Sequence, residues 1–153
     1  MTDNNDIFEQ DNDMLALESQ LCFALYATQL SMSKLYRRLL RQLDLTYPQY
    51  LVMQVLWQED HLTVSNIGER LSLDSATLTP LLKRLEGAEL VRRQRIREDE
   101  RQVEISLTGK GSELRKKART LPAEVERASG CSSEEMKALR DQLNALKKQL
   151  DSV

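Results

Sequence analysis

The chain has 153 residues, of which 41% are hydrophobic and 30% charged, and this composition excludes disordered, low-complexity and collagen-like proteins. Its length suits one domain, and no apolar run approaches the roughly 20 residues of a membrane span. Because 2 Cys and 1 His cannot complete a structural zinc site or a disulfide framework, we expect no metal and no cofactor.

The net charge of −2 conceals an asymmetry along the chain. Residues 1–18 carry acidic but no basic side chains, so the rest of the chain is net basic. Residues 1–13 are not a basic segment followed by an apolar one, which predicts an acidic, flexible terminus without a secretory signal and a cytoplasmic location. Residues 91–97 concentrate basic charge, a density that a solvated strand explains only in part: Arg92, Arg93, Arg95 and Arg97.

The first half of the chain is predicted to be helical. Residues 14–43 have the spacing of one long amphipathic helix, set by Leu21, Leu25, Met32, Leu35, Leu39 and Leu43. Thr46 and Gln49 form a capping-box pattern for a second, mostly buried helix, and Thr63 opens a short third one. Asp74 suits the N-cap of a fourth helix, although Pro80 requires that this helix either kinks or begins near Thr79.

A β-hairpin and two more helices follow. Val103, Ile105 and Leu107 alternate with polar residues in a half-buried strand, which residues 90–95 should pair with. The charged tip, residues 97–101, is expected to be longer than a two-residue turn. A fifth helix follows Thr108 and Gly109, and Pro122 should bend or end it. Ser132 and Glu135 form a capping box before a last stripe that needs a partner helix: Met136, Leu139, Leu143, Leu146 and Leu150.

This order of elements predicts a mainly α fold with a small β-hairpin wing, the winged helix-turn-helix, whose second helix enters the major groove of DNA. The presumed recognition helix offers hydroxyls near its start and cations further along: Ser75, Thr77, Thr79, Lys83 and Arg84. For the helix alone, ordinary surface residues are an equal explanation, and the charged hairpin shifts the balance towards DNA.

The sequence resembles the multiple antibiotic resistance regulator (MarR) family, specifically its organic hydroperoxide-sensing branch. The segments that carry this resemblance are residues 45–56, 67–71, 73–85 and 99–101. The resemblance covers about residues 15–150. It implies one domain at 14–153, with dimerisation helices at 14–43 and 108–150 of an intertwined dimer and a winged helix-turn-helix at 46–107. It also implies a helix that runs through Pro80 and an Arg101 that Asp99 orients in the minor groove. Arg93 and Arg95 complete the expected DNA contacts, and Glu89 stands where relatives often carry Gly.

The resemblance implies that Cys22 is the sensing residue. By itself it is most simply a small apolar filler on a buried helix face. Residues 1–33 contain no Lys or Arg, so no nearby cation on this segment can stabilise a thiolate, and Cys22 lies too far inside the predicted helix for its N-terminal dipole. The resemblance implies that the hydroxyls of Tyr36 and Tyr47 donate hydrogen bonds instead. Phe23 and Tyr26 either line a peroxide pocket or belong to the core.

Tyr36 follows Cys22 by 14 residues, or about 21 Å along one helix. If both belong to one site, a second subunit must supply Tyr36. Relatives of the two-cysteine type resolve the oxidised sulfur with a thiol that aligns at Arg127, so Cys131 either substitutes for it or is a bystander while a small-molecule thiol acts. His61 is expected to be a surface residue without a role.

We therefore expect a homodimeric repressor, not an enzyme, that binds a pseudo-palindromic double-stranded operator and releases it when organic hydroperoxides oxidise Cys22. One alternative is a related repressor gated by a small aromatic ligand, which would respond equally after Cys22→Ala. A second alternative is a thiol peroxidase, which the predicted DNA-binding wing disfavours.

Overall fold

The structure, a computed structural model, describes residues 14–153, so the predicted acidic terminus at 1–13 lies outside the described residues. A 3-10 turn at Leu17–Ser19 precedes helix α1, Leu21–Leu39, and a second one at Leu40–Leu43 follows it. The single helix expected over 14–43 is therefore wrong at its start, where Ala16 and Gln20 have non-helical backbones. Leu15 and Leu17 are exposed, so in the protomer no burial offsets the cost of continuing the helix there.

Helix α2, Tyr47–Gln58, begins as its capping box predicts. Thr46 Oγ1 accepts a hydrogen bond from the Gln49 backbone N–H at 3.4 Å, and the Thr46 N–H donates to Gln49 Oε1 at 3.0 Å. Pro48 lies in the first turn, where no intrahelical N–H bond is lost. α2 then buries most of its length in the core.

Helices α3, Val64–Leu71, and α4, Ser75–Gly87, form the helix-turn-helix, with Thr63 and Asp74 as their N-caps. The turn between them folds closely back on α3, since a Cβ on Gly68 would lie 2.7 Å from the Leu73 carbonyl oxygen. α4 is continuous through Pro80, which decides between the two starts left open by the sequence. Pro80 is exposed and leaves one backbone acceptor without its helical donor.

The wing pairs strand β2, Val91–Ile96, with strand β3, Asp99–Leu107, as expected. The expected long tip is wrong, because Arg97 and Glu98 form a two-residue turn. The register jumps from Arg95 opposite Val103 to Ile96 opposite Asp99. Residues 100–102 are therefore left without a partner on β2 and form a bulge in β3 rather than a long loop. A short strand β1, Leu62–Thr63, joins β3 on its other side and was not predicted.

The chain ends in helices α5, Gly109–Ala118, α6, Leu121–Ser129, and α7, Ser133–Asp151. The break expected at Pro122 falls earlier, at the end of α5, and Pro122 lies in the first turn of α6, where proline is tolerated. Ser132 Oγ caps α7 by accepting from the Glu135 N–H at 3.1 Å.

The core lies mainly within the winged-helix part and is built from α2 to α5, the sheet, the turn after α1 and Leu121 at the start of α6. In contrast, neither α1 nor α7 contains a fully buried residue among those described. Their large apolar side chains stay exposed in the protomer, among them Leu21, Leu25, Tyr26, Leu30, Leu139, Leu143 and Leu150. Within residues 14–153, no helix combines the length and apolarity that crossing a membrane requires.

Candidate DNA interface and thiol site

Helix α4 separates an apolar face from a polar one. Its buried side, Leu78, Leu82 and Leu85, packs into the core. Of the predicted DNA-contacting side chains on α4, Thr79 is half-buried and the others are exposed: Ser75, Thr77, Lys83 and Arg84. The exposed face thus presents hydroxyls at its start and cations towards its end, a set suited to phosphates and base edges.

Asp74 fixes the start of α4. Its Oδ1 accepts from the Thr77 backbone N–H at 2.8 Å. This bond, aided by the Thr77 side chain and by the Ala76 N–H, lowers the pKa of the Asp74 carboxyl. The carboxylate therefore occupies one helix N–H group that would otherwise face a ligand.

The arginines of the wing differ in their surroundings. Arg95 Nη1 donates to the Glu100 carbonyl at 2.9 Å, across the bulge. Arg92, Arg97 and Arg101 are exposed and form no ion pair with residues 14–153. These guanidinium groups are available to a polyanion.

Arg93, in contrast, is already paired. Its Nε and Nη2 donate to Glu86 Oε1, and its backbone N–H donates to Glu86 Oε2 at 3.2 Å. The hydrogen bonds from the Arg93 side chain, more than its charge alone, hold the pKa of Glu86 below its usual range. Arg93 therefore joins α4 to β2, a role that the sequence analysis did not assign to it.

Asp99 and Arg101 meet through the backbone. Asp99 Oδ1 accepts from the Arg101 N–H at 3.1 Å and so shapes the chain at the bulge, while the Arg101 side chain stays exposed. At the other end of the wing, Glu89 has a φ of 63°, the left-handed conformation that suits Gly. Glu89, where the family resemblance implied Gly, thus adopts a conformation that suits Gly.

Tyr36 and Tyr47 lie together, with ring centroids 4.6 Å apart. Burial, and then the neighbouring Tyr47 and Tyr50, raises the pKa of Tyr36 to about 12, and burial also raises the pKa of Tyr47. Their hydroxyls have no hydrogen-bond partner among residues 14–153. Both phenols are therefore neutral near pH 7 and free to donate.

Cys22 lies in the first turn of α1 and is exposed, so in the protomer it is not an apolar filler on a buried face. The prediction that Cys22 lies too far inside its helix for the N-terminal dipole is wrong, because α1 begins only at Leu21. Phe23 beside it is half-buried, and Tyr26, one turn on, is 63% exposed. Cys22 and Tyr36 belong to one continuous helix, so the protomer does not bring the thiol to the tyrosine pair. Cys131, half-buried between α6 and α7, directs its Sγ at the Ser129 carbonyl, 3.7 Å away.

Sequence reasoning missed several residues that hold these parts together. Tyr50 packs on both tyrosines and was detectable, because it lies one helical turn after Tyr47. Asp60 Oδ1 accepts from the Leu107 N–H at 2.9 Å and ties the β1 end to the wing. His61, expected to have no role, places its Nδ1 2.9 Å from Glu104 Oε1 on β3. No group of His, Cys, Asp and Glu suited to a metal occurs in the described part of the chain.

The known proteins that this chain is similar to are transcriptional regulators. The family model described as "Transcriptional regulator SarA/Rot" matches residues 34–118. The HTH-type transcriptional regulator TtmR of Methylorubrum extorquens is 52% identical over 91% of this chain and 71% of its own length. The organic hydroperoxide resistance transcriptional regulator of Bacillus subtilis is 48% identical over 90% of this chain and 94% of its own length.

Solved structures of the regulator AbfR have the same fold. The Staphylococcus epidermidis protein aligns with a TM-score of 0.74 at 34% identity, over 94% of this chain and 99% of that one. AbfR has also been solved in its reduced form bound to DNA, with a TM-score of 0.69 at 38% identity over 90% of this chain and 96% of that one. A further AbfR structure contains a disulfide.

Proposed function

Because this chain belongs to the MarR family of winged-helix transcriptional regulators, in its organic hydroperoxide regulator branch, we propose that it is a homodimeric repressor that releases its operator when an organic hydroperoxide oxidises Cys22. Its homologues are DNA-binding regulators and not enzymes, so the thiol peroxidase alternative is excluded. The sensing step and the residues that carry it are the proposal.

DNA recognition would use α4 in the major groove and the wing in the minor groove. Lys83 and Arg84 supply cations, and the exposed Ser75 and Thr77 supply short hydroxyls at the start of α4, the part of the recognition helix that contacts base edges in such motifs. Arg101 at the bulge is placed to enter a narrow, A·T-rich minor groove, where negative potential is concentrated.

A second copy of the chain would cover the exposed apolar faces of α1 and α7. Leu21, Leu25, Leu139 and Leu143 are more than one-third exposed in the protomer, which a solution monomer would not leave uncovered. A two-fold dimer would also place two α4 helices about 34–36 Å apart, the spacing of half-sites on one DNA face.

The observation that carries the sensing proposal is the separation of the thiol from the free phenols. Cys22 is at the first turn of α1 and Tyr36 is near its end, about 21 Å away, where Tyr36 packs on Tyr47. If the partner's α1 crosses in the opposite direction, the Cys22 thiol of one chain meets the hydroxyls of the other. Neutral donors would then stabilise the thiolate without a cation.

The chemistry is a two-electron oxidation. The Cys22 thiolate attacks the terminal oxygen of the hydroperoxide, the O–O bond breaks and an S–O bond forms. Sulfur becomes a sulfenic acid, and the departing alkoxide takes up a proton to become an alcohol. A thiol can then condense with the sulfenic acid to form a disulfide and water. Cys131 of the partner chain and a small-molecule thiol are the two candidates for it.

Release follows from the loss of the thiolate's hydrogen bonds. As the tyrosines are displaced, the first helices shift and the two recognition helices leave their half-site spacing. A hundredfold loss of operator affinity requires a coupling of only about 2.7 kcal/mol, which a rearranged interface can supply.

The test is an operator-binding titration with and without cumene hydroperoxide, on wild type and Cys22→Ser. We expect both proteins to bind when reduced and only wild type to be released. A Cys22→Ser variant that is released equally well would exclude thiol sensing. A non-reducing gel separates the two resolving thiols, because only a thiol of the partner chain links two protomers covalently.

One groove favours a second candidate function, the repressor gated by a small aromatic ligand. It has a volume of about 590 Å³ between α1 and α2 and is lined by Arg37 and Tyr47, among others. A planar carboxylate would find a cation and an aromatic ring there. Release by an aromatic acid in both wild type and Cys22→Ala would support this alternative.

A further inference from the structure

A line of aromatic rings leads from the tyrosine pair along α2. The Tyr50 ring lies 6.2 Å from that of Tyr36 and 6.4 Å from that of Tyr47, measured between centroids. The Trp57 ring meets Tyr50 edge-on at 6.3 Å. Since Tyr50 and Trp57 are seven residues apart, they lie on one face of α2, about 10 Å apart along its axis.

Trp57 joins this line to the base of the wing. Its Nε1–H donates to the Gly111 carbonyl on α5 at 2.9 Å. Gly111 is pressed against Leu90, whose carbonyl oxygen would lie only 2.1 Å from a Cβ at position 111. The Leu90 N–H donates to the Leu85 carbonyl at 3.0 Å, and the Leu90 carbonyl accepts from the Thr108 N–H at 3.1 Å. Gly111 therefore connects Trp57 to Leu90, which forms the junction between α4 and β2.

We propose that Tyr50 and Trp57 transmit the displacement of the sensor tyrosines to this junction, and so determine how strongly oxidation of Cys22 weakens operator binding. The inference rests on the function proposed above. Both are positioning residues, because each acts through other groups.

Packing and hydrogen bonding both favour this role. Tyr50 is only 3% exposed, and close-packed rings cannot absorb a shift of Tyr36 by compression. The polar end of each side chain is also held, since Tyr50 Oη accepts from Gln54 Nε2 at 3.1 Å and Trp57 Nε1 is bonded to Gly111. A displaced Tyr50 must therefore move Trp57, and Trp57 can move α5 against Leu90.

The first test uses Trp57→Phe, which keeps a ring against Tyr50 but removes the N–H that reaches Gly111. Operator affinity is measured for reduced and for hydroperoxide-treated protein, and intact mass records the oxidation of Cys22. We expect normal oxidation and normal reduced-state binding, with the ratio of the two affinities falling on the order of 2- to 30-fold.

The matched control is Lys110→Met, which removes the hydrogen bond from Lys110 Nζ to the Ala88 carbonyl at the same junction but outside the aromatic line. Its affinity ratio should equal that of wild type even if both affinities fall. An unchanged ratio in Trp57→Phe, with Cys22 fully oxidised, overturns the coupling alone. Release of Cys22→Ser by hydroperoxide overturns the proposed function and the coupling together.

The second test is spectroscopic and does not depend on the folding of Trp57→Phe. The chain contains 1 Trp, so intrinsic fluorescence reports on position 57. Hydroperoxide should change the emission of wild type and leave that of Cys22→Ser unchanged. Tyr50→Leu breaks the ring contact, so its Cys22 should oxidise without the change in emission. Constant wild-type emission while Cys22 is oxidised contradicts the proposal.

Discussion

Arg93 Nη2 lies 3.0 Å from Glu86 Oε1, which makes the first residues of the wing and the last turn of α4 one ion-paired unit. Because both side chains are partly exposed, solvent screens the pair, and we expect Arg93→Ala and Glu86→Ala each to lower the free energy of unfolding by about 0.5–1 kcal/mol. The double variant should lose little more than either single one. Urea denaturation of all four proteins measures this, and strictly additive losses would contradict the pairing.

The same pair predicts how Arg93 affects DNA binding. A guanidinium held by a carboxylate neutralises no phosphate, so Arg93→Ala should leave the dependence of operator affinity on salt unchanged. Arg101→Ala, which removes an unpaired cation at the bulge, should reduce the slope of log K against log salt by about 1. Titrations at several salt concentrations distinguish the two variants. A reduced slope for Arg93→Ala would show that the guanidinium leaves Glu86 to bind DNA.

These residues also show where sequence reasoning succeeds. The caps of α2 and α4 were predictable from Thr46 and Asp74, because a cap bonds to a backbone N–H only three residues away. The pairing of Arg93 was not, because the density of arginines in β2 does not reveal which of them folds back on Glu86. The bulge at the tip was likewise set by strand register, which charge alone does not specify.

Glu89 offers a stability test at the entrance to the wing. A side chain at φ 63° is strained, and the Glu89 N–H already closes the end of α4 on the Glu86 carbonyl at 2.9 Å. Relief of this strain in Glu89→Gly should therefore raise the free energy of unfolding by about 0.5–1 kcal/mol. The greater conformational entropy of the unfolded chain with Gly offsets part of that gain. Glu89→Ala is the control, since it removes the carboxylate and keeps the strain. Equal gains from both variants would assign the effect to charge instead.

Gly111 and Gly109 form a matched pair in α5. A Cβ on Gly111 would overlap the Leu90 carbonyl oxygen, whereas one on Gly109 would have no atom within 4 Å. Gly111→Ala should destabilise the protein by about 3 kcal/mol or more, because backbone must move. Gly109→Ala should be neutral or stabilise it by about 0.5 kcal/mol. Thermal unfolding separates them, and a Gly111→Ala variant as stable as wild type would exclude the close approach of α5 to Leu90.

The thiol site was predictable in its parts but not in its assembly. Residue types and the absence of cations from 1–33 were enough to exclude an ion-paired thiolate near Cys22 along its own segment. Helix spacing then separated Cys22 from Tyr36. The contact of Tyr36 with Tyr47 and Tyr50 joins α1 to α2, and such contacts between elements depend on packing that no local pattern contains.

His61 predicts a pH dependence of stability. The hydrogen bond to Glu104, and then the charge of Asp60, raises the pKa of His61 above its ordinary value of 6.5. The imidazole therefore binds its proton more tightly in the folded state than in the unfolded one. Its contribution is fully present below pH 6.5 and is lost as the pH rises through the higher folded pKa. We accordingly expect His61→Gln to be less stable than wild type in mildly acidic buffer and equal to it in alkaline buffer.

The measurement is the difference in melting temperature between wild type and His61→Gln, taken from about pH 5.5 to pH 9. Glu104→Gln provides the background in which this difference should become smaller but not vanish, because its amide cannot attract the imidazolium as a carboxylate does while Asp60 still can. Chemical shifts of the single imidazole report the folded pKa directly. A difference in melting temperature that widens as the pH rises would mean that His61 is held neutral, which would contradict its pairing with Glu104 on β3.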